Sequence, residues 1–384
     1  MTRRPEYDPV EDPPASEDPA VTPKVLADKV APRAAPRILA LRLGRILLLA
    51  SSLFLFVLAI ELIKGGAGGA ASIIESLIDI GSLPNALGFG WLATYLVMSG
   101  SPVAAVSVAF LAAGAISRMA SFAMIIGSRL GASFIVLFIG FVYVLRGHER
   151  RTGLSMGLLS LVVTGTVYLP ALASGAVLLQ YGWLDVVQFH EGTVLNSVLD
   201  RLVAPLVDPL TALLPGWAVL LIGLVALWLS FYLFDRILPD LDLEHSRFSQ
   251  VARLVYRPLV MFLLGAVLTL ITLSVSLSLS LLVPLSTRGY VRRENAIPYI
   301  MGANITTFLD TLLATVLLGS ADAFSVVLAS VTSVTAISLL VLLLFFRPYE
   351  RAVLRVAGWA AASNRNLVLF MGTILGVPLV LLLI

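Results

Sequence analysis

The sequence alternates long apolar runs with short polar ones, and the runs have the length of membrane crossings. About 20 apolar residues in a helix cover the roughly 30 Å of a bilayer's hydrocarbon core. Runs of that size occupy 46–63, 118–145, 153–180, 216–235, 295–319, 323–346 and 366–384. Two further apolar stretches, 84–114 and 258–285, are each interrupted near the middle. The interruption is Ser99-Gly100-Ser101-Pro102 in the first and Ser274-Val275-Ser276-Leu277-Ser278 in the second. This pattern predicts an all-α integral membrane protein with about seven full crossings and two broken segments.

Composition agrees. Only 13% of the 384 residues are charged, against about 25% in an ordinary soluble domain. Mean hydropathy is +0.97, so the bilayer is the solvent for most of the chain. There is no cysteine, which excludes disulfides and thiolate metal sites. His148, His190 and His245 are far apart and lie near span ends, which argues against a histidine-based metal enzyme. No nucleophile–base pair stands out either, and an enzyme is not expected. The net charge is +3, and the basic residues sit at the ends of apolar runs rather than in one patch. That marks membrane topology, not nucleic-acid binding. Residues 1–36 are rich in Pro and acidic residues and lack apolar periodicity, as in a disordered tail. No signal peptide is expected, because the first apolar run begins near Ile46 and has full span length.

The arginines decide how the broken stretches run. Arg33, Arg37, Arg42 and Arg45 place the tail in the cytoplasm. If 84–114 crossed the membrane, Arg146, Arg150 and Arg151 would lie outside; if it dips in and returns, all three lie inside and Arg118 alone is outside. The same holds for 258–285. Arg236, Arg247, Arg253 and Arg257 precede it, and Arg288, Arg292 and Arg293 follow it. Both groups are cytoplasmic only if that stretch also returns to its own side, and Arg347, Arg351 and Arg355 then fall inside as well. Re-entrant backbone is tolerated at membrane depth only beside protein or a watery cavity, and in transporters substrate binds there.

Shifted by 175 residues, the sequence aligns on itself without a gap from 90 to 133. Gly90 meets Gly265, Thr94 meets Thr269, Ser99 and Ser101 meet Ser274 and Ser276, and Arg118 meets Arg293. Ile125-Ile126-Gly127-Ser128-Arg129-Leu130 meets Ile300-Met301-Gly302-Ala303-Asn304-Ile305. One copy starts inside and the other outside, which makes them inverted repeats. The expected organisation is a cytoplasmic tail (1–36), a first membrane repeat (37–180), an outer linker (181–215), a second repeat (216–357) and a terminal transmembrane helix (358–384).

On these residues the chain resembles the type II sodium/phosphate cotransporter family over roughly 46–350. Each repeat of that family carries a Gln-Ser-Ser-Ser-like hairpin tip followed by a Gly-Ala-Asn-Ile-Gly-Thr-Thr-like helix break. Met301-Gly302-Ala303-Asn304-Ile305-Thr306-Thr307 is similar to the break, and Gly127-Ser128-Arg129-Leu130-Gly131-Ala132-Ser133 is a degraded copy. The tips correspond to Met98-Ser99-Gly100-Ser101 and Leu273-Ser274-Val275-Ser276, each starting 29 residues before the glycine of its break. Met98 and Leu273 replace the family's Gln, and Arg129 replaces its first Asn. The resemblance implies two re-entrant helical hairpins, a broken transmembrane helix in each repeat and a location in the cell membrane. It implies sodium and inorganic phosphate as transported ligands, with no resident cofactor.

An oxyanion needs hydrogen-bond donors and positive potential, and sodium needs oxygen ligands. Serine hydroxyls offer both, and helix breaks free backbone groups. The candidate binding residues are Ser99, Gly100, Ser101, Gly127, Ser128, Arg129, Ser133, Ser274, Ser276, Gly302, Ala303, Asn304, Thr306 and Thr307. Ser101, Ser276, Asn304 and Thr307 are the candidates for sodium. The plainer reading of such hydroxyls is that they bond back to their own helices or ease helix packing. Arg129 in mid-span costs about 3 kcal/mol on insertion scales unless a cavity or partner receives it. It either forks onto an oxyanion, replaces a bound sodium, or pairs with Asp310 and locks the two repeats together. Asp185, His190, Glu191, Asp200, Arg201 and Asp208 read as a charged, solvated outer loop, and 70–82 as a short interfacial segment. Two other readings stay open: a carrier of another anion or one that works without sodium, and a non-transporting scaffold or regulator of the same fold.

Overall fold

All seven long apolar runs form helices. In the computed structural model they cover Ile46–Ala67, Arg118–Phe138, Leu154–Gln180, Gly216–Phe234, Arg293–Leu318, Ala321–Leu344 and Asn364–Leu383, each long and apolar enough to cross a membrane. The structure describes residues 34–77, 82–145, 150–187, 193–237, 257–272, 274–280, 282–287 and 291–384. Among these there is no strand. Val225, Leu343 and Val368 are more than 60% exposed on the outer faces, a surface that suits lipid rather than water. The chain is a multi-pass membrane protein.

The helices, in order, are α1 (Ala34–Leu77), α2 (Leu83–Val97), α3 (Gly100–Ala112), α4 (Arg118–Leu145), α5 (Arg150–Gln180), α6 (Thr193–Leu213), α7 (Gly216–Ile237), α8 (Pro258–Thr272), α9 (Val275–Ser280), α10 (Leu282–Thr287), α11 (Arg293–Thr306), α12 (Leu309–Leu318), α13 (Ala321–Leu344), α14 (Phe346–Ala362) and α15 (Asn364–Leu383). The chain divides into two units, Met1–Leu47 and Leu48–Ile384, and the helix bundle is the second. The tail expected over 1–36 lies outside the described residues as far as residue 33. Serine caps set several helix starts. Ser82, Ser320 and Ser363 accept from the N–H groups of Asn85, Ala323 and Asn366 at 3.2, 3.3 and 3.1 Å, satisfying donors that a helix start leaves open.

The first interrupted stretch breaks where expected; the second breaks at Ser274, while Val275–Ser278 of the expected interruption are helical. The first breaks at Met98, which ends α2 in the left-handed region at φ 55°, and at Ser99, whose extended backbone starts α3. The second divides into α8, α9 and α10. Helix α3 then runs back along only the first half of α4. Ser107 of α3 bonds to the Ser121 carbonyl at 3.0 Å, and Gly100 lies so close to α4 that a Cβ there would sit 2.9 Å from the Ser128 oxygen. Helix α2 lies antiparallel to α15. The Asn85 amide donates to the Leu382 carbonyl at 2.7 Å and the Tyr95 hydroxyl to the Ile374 carbonyl at 3.1 Å.

The tightest helix contacts recur at the 175-residue spacing. A Cβ on Gly127 would lie 2.2 Å from the Leu87 carbonyl oxygen, and one on Gly302 would lie 1.9 Å from that of Phe262. Gly90 meets the Met124 oxygen at 2.2 Å, and Gly265 the Tyr299 oxygen at 2.1 Å. Each partner is 175 residues from its counterpart. Glycine is therefore required at these four positions to let α2 close on α4 and α8 close on α11. Equivalent residues also meet each other: the rings of Phe56 and Phe231 pack edge to face at 5.7 Å.

Several expectations are corrected. Helix α4 continues without a break through 127–133, because Ser128 and Ser133 turn their hydroxyls onto the Ile125 and Leu130 carbonyls, both at 2.7 Å, and Leu130 and Ala132 favour helix. The second-half break is a single tighter turn, with the Phe308 N–H on the Ile305 carbonyl at 3.3 Å, after two β-branched threonines that fit a helix less well. The segment 181–215, expected as an outer linker, is not simply a loop, since α6 fills most of it. Its apolar Val203, Val207 and Leu210 recur at helical spacing opposite Arg201 and Asp208. The segment expected to begin at 70 continues α1 as far as Leu77. Residues 346–362 form a further helix, α14, with Arg347, Arg351 and Arg355 exposed along one face. At one end of the bundle Arg118 is clamped by two acids. It pairs bidentately with Asp185, one arm at 3.2 Å, and its Nε stands 3.7 Å from Asp322.

Gly127→Ala and Gly302→Ala are each expected to lower stability by at least about 1–3 kcal/mol, since backbone blocks the added methyl. Gly372→Ala, where nothing lies within 4 Å, should stay within about 0.5 kcal/mol of the parent. Melting temperatures of the purified protein in detergent compare the three. The Arg118 guanidinium holds the Asp185 carboxyl below the usual carboxylate range. Its stabilising contribution is then complete above the unfolded carboxyl value and is lost as pH falls through the lower folded one. Hydrogen-exchange protection near 183–187, taken relative to the intrinsic rate at each pH, should be unchanged between pH 7 and 5 and fall below about pH 4.

Candidate functional site

The two breaks and the first turns of α12 converge on one cavity of about 240 Å³, room for several water molecules. Its polar lining is Ser99 and Ser101 from the first break, Ser274 from the second, Ser52 of α1, Ser230 of α7 and Asp310 of α12. Phe56, Phe231 and Phe234 supply apolar wall. Ser99 starts α3 but caps none of its N–H groups. Ser230 donates to the Ser52 carbonyl at 2.8 Å, fastening α7 to α1 beneath the cavity.

Behind Asp310 lies Arg129, 4% exposed. Its Nη2 donates to Asp310 Oδ1 at 3.1 Å and to Thr311 Oγ1 at 2.6 Å. Its Nη1 donates to Thr307 Oγ1 at 3.0 Å and reaches Ser101 Oγ at 3.5 Å. The guanidinium also lies over the Phe308 ring, 5.2 Å from its centroid, a favourable placement for a desolvated cation. Asp310 Oδ1 additionally accepts the Thr311 N–H at 2.5 Å and its hydroxyl at 2.9 Å. Two buried atoms are left over: Arg129 Nε has no acceptor and Asp310 Oδ2 has no donor among the described residues. The ion pair is thus one-pronged, although both groups can pair through two.

Of the residues expected at the site, the structure gathers Ser99, Ser101, Ser274, Thr307 and Arg129. Gly100 is buried at the start of α3 against α4. Ser128 and Ser133 are occupied by carbonyls of their own helix. Gly127 and Gly302 serve helix contact, and Ala303 is fully buried beside them. Asn304 faces α5 instead, donating to Thr164 Oγ1 at 3.1 Å, while its carbonyl accepts the Tyr168 hydroxyl at 2.8 Å. Thr306 leans 3.4 Å over the Gly302 and Ala303 carbonyls. The Ser276 side chain lies outside the described residues. Among the four sodium candidates, Ser101 and Thr307 instead face the Arg129 guanidinium, a fixed cation that repels another. The sequence reading missed Thr311, Phe308, Ser52 and Ser230. The 175-residue register carries a signal for the aromatic wall, since it maps Phe56 onto Phe231.

Comparison with protein-family models, with curated proteins and with solved structures gives no match.

Arg129→Met or Asp310→Leu alone leaves an unanswered buried charge and is expected to cost about 3–5 kcal/mol. The double variant should recover more than half of the summed loss. Unfolding of the four proteins in detergent measures this, and simple additivity would show that the two side chains do not depend on each other.

Proposed function

We propose that this protein is a secondary transporter of the cell membrane. It carries a small oxyanion, inorganic phosphate in the first place, by alternating access between two inverted halves, with its N-terminal tail in the cytoplasm. The observation that carries the reading is the cavity that joins both helix breaks to a buried aspartate, with its arginine partner directly behind it. Hydroxyls, a guanidinium and apolar walls at membrane depth make a place where an anion can lose its water and find donors.

The frame supports this. Arg118 starts α4 beside Asp322, which starts α13; α15 returns from the far end to Leu382, against Asn85 at the start of α2. The start of α2 and the end of α3 therefore share one end of the bundle, and the break between them lies beside the middle of α4. This course supports the reading of 84–114 as a re-entrant hairpin. The paired glycine contacts and the Phe56–Phe231 contact suit two halves related by an axis passing between them.

Sodium is the coupling ion that the resemblance implies. The placement of Arg129 favours the sodium-independent alternative, because two of the four oxygens nominated for sodium lie 3.0 and 3.5 Å from its guanidinium.

Purified protein in liposomes, offered labelled phosphate, sulfate and other anions under imposed gradients, tests the reading. Saturable phosphate uptake is expected, reduced about tenfold or more in Ser101→Ala/Ser274→Ala, the loss of roughly one charged hydrogen bond or more. Absence of flux for every anion under every gradient would leave a membrane scaffold and refute transport.

A further inference from the structure

The central ion pair leaves one donor and one acceptor unused, and the two call for different ligands. Arg129 Nε, beside an Nη already in use, is a donor awaiting an oxyanion's oxygen. Asp310 Oδ2 is an acceptor awaiting a proton or cation. Asp310 lines the cavity and is only 10% exposed, while Arg129 stands behind it. An anion entering the cavity therefore meets the carboxylate before the guanidinium.

We propose that Asp310 is the proton-coupling residue of this transporter and that oxyanion and carboxylate exchange places on Arg129. The inference rests on the reading of the protein as a transporter. A proton from the bulk water passes through the cavity to Asp310 Oδ2. The neutral acid releases Arg129 Nη2, and a phosphate monoanion takes the guanidinium through Nε and Nη. Release reverses both steps, with the proton leaving on the other side.

Charge balance in a low-dielectric interior makes the coupling obligatory. The empty site holds one guanidinium and one carboxylate, net zero. The loaded site holds the guanidinium, one monoanion and a neutral acid, again net zero. A site with anion but no proton carries one net negative charge, and a site with proton but no anion carries one net positive charge. Both mixed states are penalised by burial, so only the two neutral states exchange sides. The result is electroneutral symport of one proton per monoanion.

Nothing else nearby takes this role. Among the described residues around Asp310, Arg129 of α4 is the charged partner. The one other titratable group is Tyr168 of α5, whose hydroxyl is held by the Asn304 carbonyl and whose ring stacks on Phe308. The first break contributes Ser101, the second Ser274 and α7 Ser230, none of them charged. A fixed guanidinium also leaves a proton, which is held by a single covalent bond, better accommodated than a sodium ion needing several oxygens.

The test uses full-length protein in liposomes with labelled phosphate and an internal pH dye. With acid outside and no sodium, phosphate uptake is expected to rise at least tenfold over equal pH. It should carry one proton per phosphate and be unaffected by a potassium-diffusion potential. Asp310→Asn mimics the protonated acid permanently. It should cut pH-driven net uptake at least tenfold while phosphate–phosphate exchange persists, which also shows that the variant is folded. Asp310→Glu should restore dependence on the pH gradient. Uptake in the parent that follows a sodium gradient and ignores the pH gradient would overturn the proposal while leaving transport intact. So would pH-driven net uptake that persists in Asp310→Asn. Failure of the parent to move phosphate or any other anion tried, even in exchange, would instead overturn the transport reading beneath it.

Discussion

A guanidinium inside the hydrocarbon layer must be answered within the protein, and the centre of this molecule is arranged around that demand. Arg129 stands on a continuous helix, α4, and, apart from Ser101 at 3.5 Å, what answers it comes from across the bundle: Asp310, Thr311, Thr307 and the Phe308 face. Removing the positive charge strands a carboxylate, and removing the carboxylate strands a cation. Either loss is worse than losing both. The tight turn at Thr307–Phe308 follows from the same demand. Asn304 on α11 faces α5, whereas Thr307 and Thr311 face α4. An interruption between α11 and α12 lets one crossing serve both neighbours.

Around this centre the glycine contacts repeat and the chemistry does not. Gly127 and Gly302 make the same backbone contact with helices 175 residues apart, and so do Gly90 and Gly265. Arg129, however, corresponds to Asn304, and Asp310 corresponds to Ile135. Each half therefore contributes one member of the ion pair and leaves a neutral residue at the equivalent place. In the proposed alternating access, symmetric packing would give two arrangements of similar energy, and the asymmetric charges would fix which side chains part between them. A pair held by one prong, with Arg129 Nε and Asp310 Oδ2 unsatisfied, is easier to open than one held by two.

Much of this was legible in the sequence because bilayer physics leaves few choices. Span lengths follow from hydrocarbon thickness, and the seven crossings fall within a few residues of the apolar runs. The breaks at Met98–Ser99 and before Val275 were readable from clustered small and polar residues within apolar stretches. The register of 175 was readable because glycines that admit a neighbouring backbone cannot drift. The assignment of individual hydroxyls was not. Ser128 and Ser101 look alike in sequence, yet one bonds to its own helix and the other faces Arg129. That difference depends on rotation about the helix axis, which a motif does not specify. The aligned break in the first half misled for a related reason. Without the Thr306–Thr307 pair, Leu130, Ala132 and Ser133 simply continue the helix.

Met98 shows how the first break ties into the cavity. It is the one non-glycine residue with positive φ among those described, in a conformation that costs an L-residue about 1 kcal/mol or more. A glycine would remove that strain but would free the chain between α2 and α3. A side chain there restricts the turn, so Ser99 and Ser101 are presented to the cavity from a stiff corner rather than a loose one. Stiffness matters because the Ser101 hydroxyl is only 3.5 Å from Arg129, at the edge of hydrogen-bond reach. A small inward movement of this corner would complete the bond, and a small outward one would lose it. The first break thus sits where modest motion would change how many donors and acceptors surround the central charge, a coupling between conformation and binding of the kind the proposed alternating access requires.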